Sequence, residues 1–175
     1  MSNPTPLHER EHPNWEFHPE FQKDVMPHLE DWSWHNDTKP CFVDGDTGMV
    51  VWVDHLDPKQ REFPEDSYVY TLLQAEAGPV GWDHTDCHEI LLETDDLSAV
   101  KQMLYLEKLG QAALPVTEDD WGSCRQIDAE NDFLAAVQRV LPEDSWDDLY
   151  VYGLKATTEE RIAYALQLVK KEVTS

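Results

Sequence analysis

The densest collection of metal-ligating side chains lies in Trp82-Asp83-His84-Thr85-Asp86-Cys87-His88-Glu89. Imidazole, thiolate and carboxylate are the groups that hold zinc or iron. On a strand, His84, Asp86 and His88 share one face and Cys87 takes the other. A closed site built on those three needs a further ligand from elsewhere, which His55 or the His8/His12 pair would have to supply. The run has neither the His-Glu-x-x-His nor the Cys-x-x-Cys spacing. A metal-dependent enzyme holding zinc or iron through His55, His84, Asp86 and His88 is therefore the alternative reading. The plainer one is a polar loop leading into Ile90-Leu91-Leu92, with no cofactor.

Other catalytic patterns are weaker. Asp44-Gly45-Asp46-Thr47 after Phe42-Val43 resembles the Asp-x-Asp-x-Thr nucleophile motif of haloacid-dehalogenase-like phosphotransferases. Here the Thr comes one position early, and the run passes straight into another apolar stretch where that motif needs a turn leading to a helix. A hairpin turn is the better reading, since Asp-Gly between apolar runs supplies the backbone freedom such turns use. No serine sits in a Gly-x-Ser-x-Gly elbow and no Gly-rich phosphate cradle is present. No catalytic residue is assigned, and the balance favours a protein that is not an enzyme.

Charge is the strongest compositional signal. The 175 residues carry 13 Lys+Arg against 36 Asp+Glu, a net charge of −23. Residues 61–120 alone hold 3 basic and 14 acidic side chains. Direct binding to nucleic acid or to an anionic membrane is electrostatically unfavourable for such a chain. A hydrophobic fraction of 41% nevertheless provides a core, so the acid belongs to a folded surface. Acid-flanked tryptophans recur at Asp31-Trp32-Ser33-Trp34, Glu118-Asp119-Asp120-Trp121 and Glu143-Asp144-Ser145-Trp146-Asp147-Asp148. Aromatic side chains supply interface anchors, and surrounding acid selects a basic partner. The expected docking residues are Glu62, Glu65, Asp66, Asp119, Asp120, Trp121, Asp144, Trp146, Asp147 and Asp148. The expected function is an acidic interaction protein for a basic protein partner, of nucleic-acid-mimic or immunity and inhibitor type. A soluble accessory domain whose charge serves solubility is the blandest alternative. Three widely spaced cysteines, a polar Met1–Glu20 and the lack of a long apolar run point to a reduced, cytoplasmic setting without a membrane span.

The elements that must position these residues follow from periodicity. Residues 1–40 hold six prolines, yet also Trp15, Phe17, Phe21, Trp32 and Trp34. They read as an extended arm, its first ten or so residues disordered, that docks its rings on the body and carries a short helix near Pro19 to Met26. Strands are expected at 41–43, 49–53, 67–73 and 88–93, separated by turn-rich segments, and another at 149–152. Helices are expected from Leu97 to a C-terminal Gly110, from Asp128 to Leu141, and from a Thr157/Glu160 capping box onward. Strands first and helices later give an α+β class: a mainly antiparallel sheet of four to five strands with about three helices on one face. The division is an arm over 1–40 and one domain over 41–175.

Overall fold

The computed structural model describes residues 5–78, 81–83, 90–114, 124–142, 145 and 157–173. The chain divides into two compact units, Met1–Lys101 and Gln102–Ser175. The class is α+β, with a five-stranded, wholly antiparallel sheet and three long α-helices among the described residues.

In the first unit the sheet order is β1 (Glu30–Asp31), β2 (Cys41–Val43), β3 (Met49–Val53), β4 (Tyr70–Gln74) and β7 (Ile90–Thr94). A separate two-stranded ribbon joins β5 (Glu76–Gly78) and β6 (Gly81–Asp83), where the sequence reads as a Gly/Pro loop. The expected β2–β3 hairpin is present. Its turn takes the left-handed conformation at Gly48 (φ 73°) and not at Gly45. The Asp44 carboxylate accepts the Asp46 and Thr47 amides at 2.9 and 3.3 Å, so this acid stabilises its own turn.

Side chains alternate across the sheet because successive residues of a strand point to opposite faces. One row runs Phe42, Val51, Leu72 and Leu92, and all four are buried. The N-terminal arm covers this row. Phe17 and Phe21 meet Phe42 at ring distances of 5.8 and 5.7 Å, and Phe21 meets Tyr70 at 5.6 Å. Burial, reinforced by the Asp95 charge, pushes the Tyr70 hydroxyl up to about 12. The opposite face holds Cys41, Val43, Val50 and Ala75, with Trp32, Trp52 and Leu73 packed against them.

The arm is docked, but it is neither extended throughout nor disordered over its described first residues. It forms α1 (Leu7–Glu11), a π-helical turn (Phe21–Val25) and a 3-10 turn (Met26–His28) before pairing as β1. Histidine contacts help fix it. The His8 amide and Nδ1 both meet Asp31 Oδ2, at 2.8 and 2.7 Å. His12 packs edge-on to Trp15, and Trp15 stacks on His55 at 3.8 Å. Further along, Lys101 pairs with Asp24 at 3.1 Å and Glu20 at 3.6 Å.

Helix α2 spans Leu97–Ala113. Its N-terminus is capped by Asp96, whose Oδ1 accepts the Ser98 amide at 2.8 Å. The helix also runs through Gly110 instead of ending there. A Cβ at that position would lie 3.0 Å from Ile162 Cγ2 and 3.5 Å from Phe133 Cε2, so the glycine admits a close helix approach. Those neighbours lie on α3 (Cys124–Gln138) and α4 (Thr158–Val173). Arg161 and Glu130 join the same two helices at 2.6 Å. The capping box is formed as expected, with Glu160 accepting the Thr157 amide at 2.7 Å and Thr157 Oγ1 accepting the Glu160 amide at 3.2 Å. The expected strand at 149–152 lies outside the described residues. No described helix is long and apolar enough to cross a membrane.

Candidate functional site: an acidic loop built on a buried arginine

Strands β3 and β4 are adjacent and antiparallel, yet sixteen residues (54–69) separate them. Loops of that length without long secondary structure are unusual in compact domains unless they serve binding. This one is closed at its base by the Asp54 amide donating to the Val69 carbonyl at 2.7 Å. A short 3-10 turn, Pro58–Gln60, follows an Asp57 whose carboxylate accepts the Lys59 amide at 3.0 Å.

Arg61 holds the loop together. Its side chain is only 3% exposed. Nε donates to the His55 carbonyl at 2.8 Å, Nη1 to the Ser67 carbonyl at 2.6 Å and Nη2 to the Leu56 carbonyl at 3.5 Å. Nη2 also lies 3.2 Å from Asp95 Oδ1, and that oxygen accepts the Val69 amide at 2.7 Å. A planar, permanently charged group with five forked donors is suited to gathering several carbonyls at once. The guanidinium thus brings residues 55–56 and 67 to one place. The tip is fixed separately. The Phe63 carbonyl accepts both the Asp66 amide at 3.1 Å and Ser67 Oγ at 2.7 Å.

The loop exposes apolar and acidic side chains together. Phe63 is 61% exposed, Tyr68 44% and Leu56 37%, three of the six exposed large hydrophobic residues among those described. Glu62, Glu65 and Asp66, all expected as docking residues, are exposed on the same loop, with Asp57 nearby and Lys59 as an exposed cation. Rigid backbone, solvent-facing aromatic and apolar groups and surrounding carboxylates suit protein recognition. They offer no nucleophile–base pair.

The other expected residues divide clearly. Asp119, Asp120, Trp121, Asp144, Trp146, Asp147 and Asp148 lie outside the described residues, as do the metal candidates His84, Asp86 and His88. His55 is described, and its ring is stacked on Trp15. Among the described residues no three His, Cys, Asp or Glu side chains converge on a point where a metal ion would sit. Asp31-Trp32-Ser33-Trp34 is mainly structural: Asp31 receives His8, Trp32 packs on the sheet, and Trp34 is the exposed member. Burial opposes ionisation of Asp31, but donors from His8 and Ser33 outweigh it and hold the carboxyl below the usual value of 3.8. A wide groove of about 420 Å³ lies on the sheet face bearing Trp52, Thr71, Leu73 and Ile90, walled by Asn36–Lys39. Its Lys39 already meets Asp54 at 3.4 Å.

Arg61, Phe63, Tyr68 and Leu56 were not among the expected site residues. Phe63-Pro64 between Glu62 and Glu65 was the available signal: a large aromatic in an acidic segment that shows no strand or helix period. Comparison with protein families, with curated proteins and with solved structures gave no match.

Proposed function

We propose that this chain is an acidic interaction protein that docks a basic protein partner, in the manner of a nucleic-acid mimic or an immunity-type inhibitor. The observation that carries the reading is the 54–69 loop. Its backbone is fixed by a buried guanidinium, while Phe63, Tyr68 and Leu56 stay in solvent beside Glu62, Glu65 and Asp66. Solvent-facing aromatics on a preorganised backbone lower the entropy lost on binding. The surrounding carboxylates, within a chain of net charge −23, speed encounter with a cationic surface and disfavour acidic competitors. The partner is therefore a protein rather than nucleic acid or membrane, and the setting is the cytoplasm.

The test is capture of defined basic proteins by immobilised protein at low and moderate salt, comparing wild type with Glu62→Lys/Glu65→Lys/Asp66→Lys. Binding that weakens with salt and falls by about tenfold or more in the variant is expected. Capture indifferent to both salt and variant would remove the proposal.

A further inference from the structure

We infer that the occupant of the 54–69 loop is a basic amphipathic helix, whose apolar stripe lies on Leu56, Phe63 and Tyr68 while its flanking Lys and Arg side chains meet Glu62, Glu65 and Asp66. This rests on the reading of the loop as a docking surface and specifies the partner's chemistry.

One guanidinium bonds the carbonyls of His55, Leu56 and Ser67, so Leu56 and Tyr68 flank a common point. The Ser67 hydroxyl reaches the Phe63 carbonyl, which brings the tip to the same place. Three exposed apolar side chains, Leu56, Phe63 and Tyr68, are thereby carried on one tied loop. The Arg61 tie, and not a regular helix or strand, brings these segments together.

The carboxylates occupy the 62–66 segment on both sides of Phe63. Arg61 has its charge turned inward to the carbonyls and to Asp95, leaving Lys59 as the exposed cation of the loop. A loop that exposes apolar groups among carboxylates is complementary to an apolar stripe accompanied by base. In a peptide, that pattern is a helix with apolar residues at i, i+3, i+4 and i+7 and Lys/Arg beside them. A polycation without an apolar stripe would satisfy the carboxylates and leave Phe63 wet. Burying Phe63 and Tyr68 is what distinguishes the two, since aromatic burial carries a large share of interface energy.

The experiment uses two synthetic helical peptides of equal length and charge. One carries Leu at i, i+3, i+4 and i+7, and the other carries Ala there. Each is titrated into the full chain and into Phe63→Ala, with thermal melts confirming that the variant is folded. The inference expects the Leu peptide to bind wild type at least about tenfold more tightly than the Ala peptide, and Phe63→Ala to abolish that advantage. Equal binding of both peptides to wild type would overturn it while leaving charge-driven docking intact. A Leu advantage that persists in Phe63→Ala would also overturn it, because the apolar contact would then lie elsewhere. If neither peptide binds, the docking reading fails and the inference fails with it.

Discussion

Two stretches of the first unit are made from similar residues and are used in opposite ways. The arm from Trp15 to Phe21 and the loop from Arg61 to Tyr68 each mix aromatics, prolines and acid. In the arm, Phe17 and Phe21 are buried against Phe42, and Phe21 also meets Tyr70. In the loop, Phe63 and Tyr68 face water, while the one charged side chain that composition would place outside, Arg61, is buried. What differs is what lies behind the backbone. The arm crosses an apolar sheet face and can exchange water for packing. The loop leaves the sheet, has carbonyls turned inward, and needs a multivalent donor more than it needs rings. The arm's aromatics therefore stabilise the fold, and the loop's aromatics are free for recognition.

The contrast is broken most directly by truncating one ring in each stretch. Phe21→Ala removes a fully buried ring and should cost about 3–5 kcal/mol, whereas Phe63→Ala should change stability by less than about 0.5 kcal/mol. Denaturant midpoints with unchanged slopes would show both. Comparable losses for the two variants would erase the distinction.

Arg61→Ala should fall between them, at about 1–3 kcal/mol, because three main-chain carbonyls lose their charged donor. Amide exchange should accelerate over residues 55–68 while the β2–β3–β4 ladder stays protected. Arg61→Lys should not restore the protection, since an ammonium lacks the fork that reaches several carbonyls. A variant that melts normally and keeps slow exchange in the loop would show that the tie is dispensable.

The smallest effect sharpens the arm. Burial holds His12 below the ordinary imidazole value of 6.5, with Asp37, Glu11 and Asp31 only partly offsetting it, and its Nε2 is buried without a protein partner. Above that value the ring is neutral in both folded and unfolded chains. Below it the unfolded chain takes up the proton first, so stability falls as pH drops below 6.5. Asp31, whose carboxyl is held below 3.8, loses its contribution only in much stronger acid and does not confuse this window. Melting temperatures from neutral pH down to about pH 5 should decline, and His12→Gln should flatten the slope. An unchanged slope in the variant would remove His12 from the account.

Much of this architecture was legible before coordinates. The β2–β3 hairpin, the β4 and β7 runs and the Thr157/Glu160 box are local patterns, each decided within a few residues. What was not legible depended on contacts between distant segments. Gly110 has the look of a helix end, but the close approach of Ile162 and Phe133 puts it inside α2. α1 and β1 are too short to leave a period, and pairing with β2 and the His8–Asp31 contact determine them. The acid of the loop was visible as composition. The burial of Arg61 was not, because the carbonyls it serves carry no side-chain signature.

Hydrogen exchange on the complex with the Leu-bearing basic peptide decides whether the 54–69 loop is the docking surface. Slowed exchange confined to residues 56–68, released again by moderate salt, is the predicted footprint. Binding that leaves those amides unchanged and protects another stretch, such as β7 or the arm, would contradict it.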